Sequence, residues 1–140
     1  MRREIDAPAA RVWEVIADFG GLEKWATGVD ACQVEGEGVG AVRTLRMGAL
    51  SLQERLESHD ARGRSFSYAI VGDTPLPFTE YLSTVRVSEP APGRALVDWR
   101  GRFRPTGDEA AAANIVRGIY AGSLAALGKH LGAAVREPAE

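Results

Sequence analysis

The chain has 140 residues, 45% apolar and 26% charged, with a formal net charge of −2. That size suits one domain with a core of its own, read as residues 1–140, and the charge balance speaks against a nucleic-acid or anionic-membrane partner. The lone cysteine, Cys32, excludes an intrachain disulfide; with no uninterrupted apolar run near the ~20 residues of a membrane span and no signal-peptide core in MRREIDAPAA, a cytoplasmic protein without integral membrane association is expected.

The stretch IDAPAARVWEVIADF reads as a strand end near Ile5 running into a helix. Asp6 is the expected N-cap and Pro8 lies in the first turn, where its missing N–H costs nothing. Val12, Val15, Ile16 and Phe19 recur at helical spacing. GGLEKW breaks the chain and starts a short second helix. Strands follow: VDACQVEGEG, then GAVRTLRMG and ALSLQERLES joined through Gly48, then RSFSYAIVG, FTEYLSTVRVSE and GRALVDWRGRFRP. Turn residues separate them, with HDARG and PAPG as hairpins. Counting the first strand, about seven strands are expected, mostly antiparallel because the connections are short.

From Asp108 to about Val135 the pattern is one long helix of about 40 Å. Its expected buried stripe is broad: Ile115, Val116, Ile119, Tyr120, Ser123, Leu124, Leu127 and Leu131. Gly118, Gly122, Gly128 and Gly132 interrupt it, either to let the sheet approach closely or to leave space. Two early helices, a meander of long strands and a final helix make an α+β chain whose sheet wraps around that helix.

Side chains alternate between the faces of a strand. In ALSLQERLESHD one row holds Leu50, Leu52, Glu54, Leu56 and Ser58, an apolar inward row with a carboxylate in its middle. By the same rule Arg43, Leu45 and Met47 share a face, as do Phe66, Tyr68 and Ile70; Tyr81, Ser83, Val85 and Val87; and Trp99, Gly101 and Phe103. A buried carboxylate needs a match, and Arg43, on the adjacent hairpin strand, is the natural one. Three roles for Glu54 stay open. It closes a structural ion pair, it anchors a ligand carbonyl or hydroxyl, or it exchanges a proton as a general acid/base, with Tyr81 and Tyr120 as further proton carriers. His59 and His130 are too few and too far apart for a zinc site, and no metal is expected. GEGVG leads into a strand rather than a helix, so it lacks the logic of a phosphate loop.

The stretches IDAPAARVWEVIADFGGLEKW, GVGAVRTLRM, LQERLESHDARGRSFSYAIVG and EYLSTVRV resemble, in order and spacing, the START-like (SRPBCC) superfamily of polyketide cyclases/dehydrases, the birch-pollen-allergen family and lipid-transport domains. The resemblance implies a helix-grip fold, in which a seven-stranded curved antiparallel sheet grips the last helix. It also implies a deep pocket for an apolar or amphipathic small molecule, lipid- or polyketide-like. Some members catalyse cyclisation or dehydration there without a metal or an organic cofactor. The plant abscisic acid receptors look similar too, and that likeness implies ligand-lining roles for Leu45, Met47, Glu54, Tyr68, Ile70, Tyr81, Ser83, Val116 and Tyr120. Their Ser-Gly-Leu-Pro-Ala gate is absent, with MGAL in its place, and their anchoring lysine is replaced near Ala26, so abscisic acid is not implied. The expected ligand site therefore comprises these residues with Arg43, Trp99, Phe103 and Ile119, and with Phe78 closing the mouth. Three functions remain open: a ligand-binding protein, a cofactor-independent cyclase/dehydratase, and an interaction module with a filled core. The oligomeric state is open between monomer and homodimer.

Overall fold

A computed structural model describes residues 1–139 of the chain. Eight strands form one antiparallel sheet: β1 (Arg2–Ile5), β2 (Ala31–Glu35), β3 (Val42–Met47), β4 (Leu50–Asp60), β5 (Ser65–Val71), β6 (Phe78–Ala91), β7 (Arg94–Pro105) and β8 (Val135–Arg136). Their order in the sheet is β2-β3-β4-β5-β6-β7-β1-β8. Between β1 and β2 lie α1 (Ala9–Ile16) and a 3-10 turn, Leu22–Lys24, and after β7 comes α2 (Glu109–Leu131). This is the expected α+β helix-grip arrangement with one strand more. The extra strand arises because α2 stops earlier than its pattern suggested. Gly132 takes a left-handed conformation, φ 66°, and reverses the chain, and Val135 then pairs with Ile5. The return path is tight, since a Cβ on Gly128 would collide with the Val135 side chain.

The two helix starts are closed in different ways. Asp108 caps α2 through its carboxylate, which accepts from Ala110 N at 2.9 Å, as Asp does at N-caps. At α1 the residue before the first turn is Pro8, which offers no cap of its own; the Glu89 carboxylate from β6 accepts from Ala9 N at 2.7 Å in its place. Asp6, the expected cap, instead accepts from the Arg136 guanidinium and ties β1 to the end of the chain.

The core lies between the inward sheet face and the helices. Ile5, Val12, Val85, Val87, Val97, Leu124 and Leu127 have almost no exposure, each contributing about 1.5–3 kcal/mol on burial. The buried seam of α2 is narrower than expected: Ala112, Val116, Tyr120, Leu124, Leu127 and Leu131. Ile115 and Ile119 are 40% and 42% exposed, because each lies one residue, about 100° of rotation, off that seam. By length and composition α2 is also apolar enough to cross a membrane, which a search for uninterrupted apolar runs misses; here it is the core helix of the fold, with its seam against the sheet. Leu50 is 48% exposed at the β3–β4 hairpin. Ser58 leaves the inward row because the β4–β5 register shifts between Leu56 and Ser58, and a bulge re-aims the side chains that follow it.

Candidate functional site

Strand pairing assembles the inward rows. Arg43, Glu54 and Ile70 stand opposite one another across β3, β4 and β5. Leu56, Tyr68, Ser83 and Gly101 form a second row across β4 to β7, and Phe66, Val85 and Trp99 a third. The polar residues of these rows fall into two clusters.

The first is an ion pair. Arg43 and Glu54 are 4% and 6% exposed. Arg43 Nε and Nη2 both donate to Glu54 Oε1, at 2.8 and 2.7 Å. Arg43 Nη1 donates to the Phe19 carbonyl at 3.1 Å, and the guanidinium lies 4.2 Å from the Phe19 ring centroid and 5.0 Å from that of Tyr68. Charge-assisted bonds and two aromatic faces thus offset the desolvation of both charges.

The second is a hydroxyl cluster. Trp99 Nε1 donates to Ser83 Oγ at 2.8 Å, Ser83 Oγ lies 3.0 Å from the Tyr120 hydroxyl, and that hydroxyl lies 2.5 Å from the Tyr81 hydroxyl. Trp99 and Tyr120 stack with centroids 4.9 Å apart, and Phe78 packs on both Tyr81 and Phe103. Burial raises the pKa of the Tyr68, Tyr81 and Tyr120 hydroxyls above the ordinary tyrosine value; the Glu54 carboxylate adds to the rise at Tyr68, while Ser83 and Tyr81 oppose it at Tyr120. Gly101 is essential to this geometry. A Cβ there would collide with the Tyr120 hydroxyl oxygen.

A recess of about 420 Å³ opens between β7 and α2, lined by Met1, Trp99, Arg100, Gly101, Phe103, Ala113, Val116, Arg117 and Tyr120. That is within the size range of small-molecule sites. Arg100 is engaged by Asp98, two bonds of 3.0 Å, whereas Arg117 donates to the neutral Asn114 at 3.1 Å. A smaller recess of about 70 Å³ is lined by Ile70, Gly72, Thr74, Phe78, Thr79, Glu80 and Tyr81.

Of the residues expected at a ligand, Trp99, Phe103, Val116 and Tyr120 meet in the larger recess, and Ile70, Phe78 and Tyr81 in the smaller. Arg43, Leu45, Met47, Glu54, Tyr68 and Ser83 line neither. Ile119 points away from the seam. Phe78, expected over the mouth, is 1% exposed and part of the core, since its ring is held between Tyr81 and Phe103. Met1, Arg100, Gly101, Ala113 and Arg117 line the larger recess outside the expected set. Only Gly101 carries a sequence signal, a glycine in the inward row of an aromatic strand. Among the described residues no group of three or more His, Cys, Asp or Glu side chains is placed to hold a metal ion.

Residues 1–132 match the model of a family described as polyketide cyclase/dehydrase and lipid transport. A solved structure of an uncharacterised protein from Bacillus thuringiensis is similar at 32% identity and a TM-score of 0.85, covering 92% of this chain and 94% of that one. MLP-like protein 423 of Arabidopsis thaliana is 27% identical over 116 residues, 76% of this chain and 75% of the relative. Norcoclaurine synthase from Thalictrum flavum, solved with dopamine and hydroxybenzaldehyde, shares the fold at a TM-score of 0.73 and 18% identity, covering 94% of this chain and 83% of that one.

Proposed function

The chain belongs to the polyketide cyclase/dehydrase and lipid transport family, and on that premise we propose that it binds an apolar or amphipathic small molecule, lipid- or polyketide-like, in the recess between β7 and α2. The observation that carries this reading is the recess itself: about 420 Å³, lined by the stacked Trp99 and Tyr120 rings, with aliphatic Val116 and Ala113 on the helix side. An aromatic or aliphatic body gains buried apolar area there, and the rim guanidinium of Arg117 suits a polar or anionic end. The test is a fluorescence titration with fatty acids and aromatic polyketides, in which Trp99 reports from the lining over a background from Trp13 and Trp25. Saturable change is expected in the unaltered protein, and Ala113→Phe, which fills the recess, is expected to abolish it. No response to any apolar ligand would favour an interaction module instead.

A second reading is a cofactor-independent cyclase or dehydratase working in the same recess. The hydroxyl cluster favours it, because Tyr120 and Tyr81 form a short hydrogen-bonded path along which a proton can move. Tyr120, which lines the recess, is the proton carrier on this reading, with Tyr81 behind it; Glu54, paired with Arg43, lines neither recess. Tyr120→Phe is then expected to lower turnover far more than it weakens binding, whereas equal loss of both, or of neither, removes Tyr120 from the chemistry.

A further inference from the structure

The hydrogen bonds of the hydroxyl cluster do not use all of its hydrogens. Trp99 Nε1, Ser83, Tyr81 and Tyr120 bring four, one each. Three contacts join them: Trp99 to Ser83, Ser83 to Tyr120, and Tyr120 to Tyr81. Each contact takes one hydrogen, so one donor is left over. No backbone carbonyl or carboxylate among the described residues is hydrogen-bonded to any of these hydroxyls. Tyr68, whose hydroxyl is near enough to Ser83 to interact with it, brings a hydrogen with its contact and leaves the surplus unchanged. Trp99 can only donate, so its hydrogen is committed to Ser83. With Tyr68 counted, the surplus hydrogen belongs to Ser83, Tyr68, Tyr81 or Tyr120.

Their surroundings separate these four. Ser83 is fully buried, Tyr68 lines neither recess, and Tyr81 borders only the 70 Å³ recess. Tyr120 alone lines the 420 Å³ recess, with its hydroxyl over the bare backbone of Gly101, itself a lining residue. If Ser83 and Tyr81 both donate to Tyr120, every contact is satisfied and the Tyr120 hydrogen is free for the recess. A hydroxyl that accepts two hydrogen bonds is polarised into a stronger donor. A ligand that displaces water from the recess must offer this donor an acceptor oxygen or leave it unpaired at a cost.

We propose that Tyr120 is the polar anchor of the recess, donating to a carbonyl oxygen carried by an otherwise apolar, ring-containing ligand. Ser83 and Tyr81 are positioning residues that aim this donor, Trp99 fixes Ser83, and Gly101 provides the room. The ligand class narrows from apolar molecules in general to apolar carbonyl compounds, with the ring lying along Trp99 and Phe103. This rests on the recess being a ligand site, as proposed above.

The test compares 2-acetylnaphthalene with 2-ethylnaphthalene, which share a skeleton and differ in the carbonyl. Calorimetric titration of the unaltered protein is expected to find the ketone bound about tenfold more tightly, the scale of one well-made buried hydrogen bond. The infrared carbonyl stretch of the bound ketone is expected below its value in hexane. Tyr120→Phe brings the ketone down to the affinity of the hydrocarbon and returns the stretch towards the hexane value; Ser83→Ala and Tyr81→Phe return it part of the way. Equal binding of the two probes to the unaltered protein, or a lowered stretch that survives Tyr120→Phe, overturns the anchor while leaving the recess as a binding site. Binding of neither probe overturns both readings. The two-probe comparison needs no variant, so a substitution that fails to fold does not block it.

Discussion

Replacing Glu54 by Leu leaves the Arg43 guanidinium, 4% exposed, without an anion. It keeps the Phe19 carbonyl at 3.1 Å and the faces of Phe19 and Tyr68, but loses both bonds to Oε1. Arg43→Met does the converse and strands a buried carboxylate. Removing one partner of a buried pair costs about 3–5 kcal/mol, whereas replacing both by apolar side chains of similar volume is often close to neutral. Each single change is therefore expected to cost about 3 kcal/mol or more, roughly 10 °C in melting temperature at about 3 °C per kcal/mol. The double variant is expected within about 2 kcal/mol of the parent, a coupling of at least ~4 kcal/mol. Urea unfolding followed by far-UV circular dichroism measures all four proteins. Because Arg43 and Glu54 line neither recess, the double variant should also keep its response to apolar ligands. Single costs below about 1 kcal/mol, or costs that add to within ~0.5 kcal/mol, would refute the assignment of this pair to the stability of the fold.

Gly101→Ala places a methyl group against the Tyr120 hydroxyl and is expected to cost about 1–3 kcal/mol, read as a lowered urea midpoint; an unchanged midpoint would mean that Tyr120 has room to move. All three tyrosines of the chain, Tyr68, Tyr81 and Tyr120, have pKa values raised chiefly by burial. Their neutral forms favour the fold, so this contribution is complete below the unfolded value near pH 10 and is lost as pH rises further. Absorbance at 295 nm should therefore rise together with alkaline unfolding, and a tyrosine titrating near pH 10 in the intact fold would contradict this. Asp108→Ala removes the bond to Ala110 N at the start of α2 and should lower stability by about 1 kcal/mol in the same unfolding assay. Ile119→Ser, on the exposed face of α2, should change stability by less than about 0.5 kcal/mol; a larger loss would place that side chain in the core.

Local chain geometry makes much of the site legible in the sequence. The strand pleat repeats every two residues, so alternation alone places Arg43, Glu54, Tyr68, Ser83 and Trp99 on one face, and the short β3–β4 hairpin puts Arg43 beside Glu54. Helical spacing likewise finds Val116, Tyr120 and Leu124 on one line. What the tertiary structure decides depends on contacts that no periodicity encodes. The rotation of α2 against the sheet turns Ile115 and Ile119 outward, the register shift after Leu56 turns Ser58 away, and the reversal at Gly132 adds β8. The position of the hollow is the largest such decision. A void is whatever volume the packed side chains leave, and it depends on where one long side chain folds. Arg43 turns its guanidinium to Glu54 and the faces of Phe19 and Tyr68, while Gly101, with no side chain at all, leaves the space between β7 and α2 into which the Tyr120 hydroxyl and the recess fit.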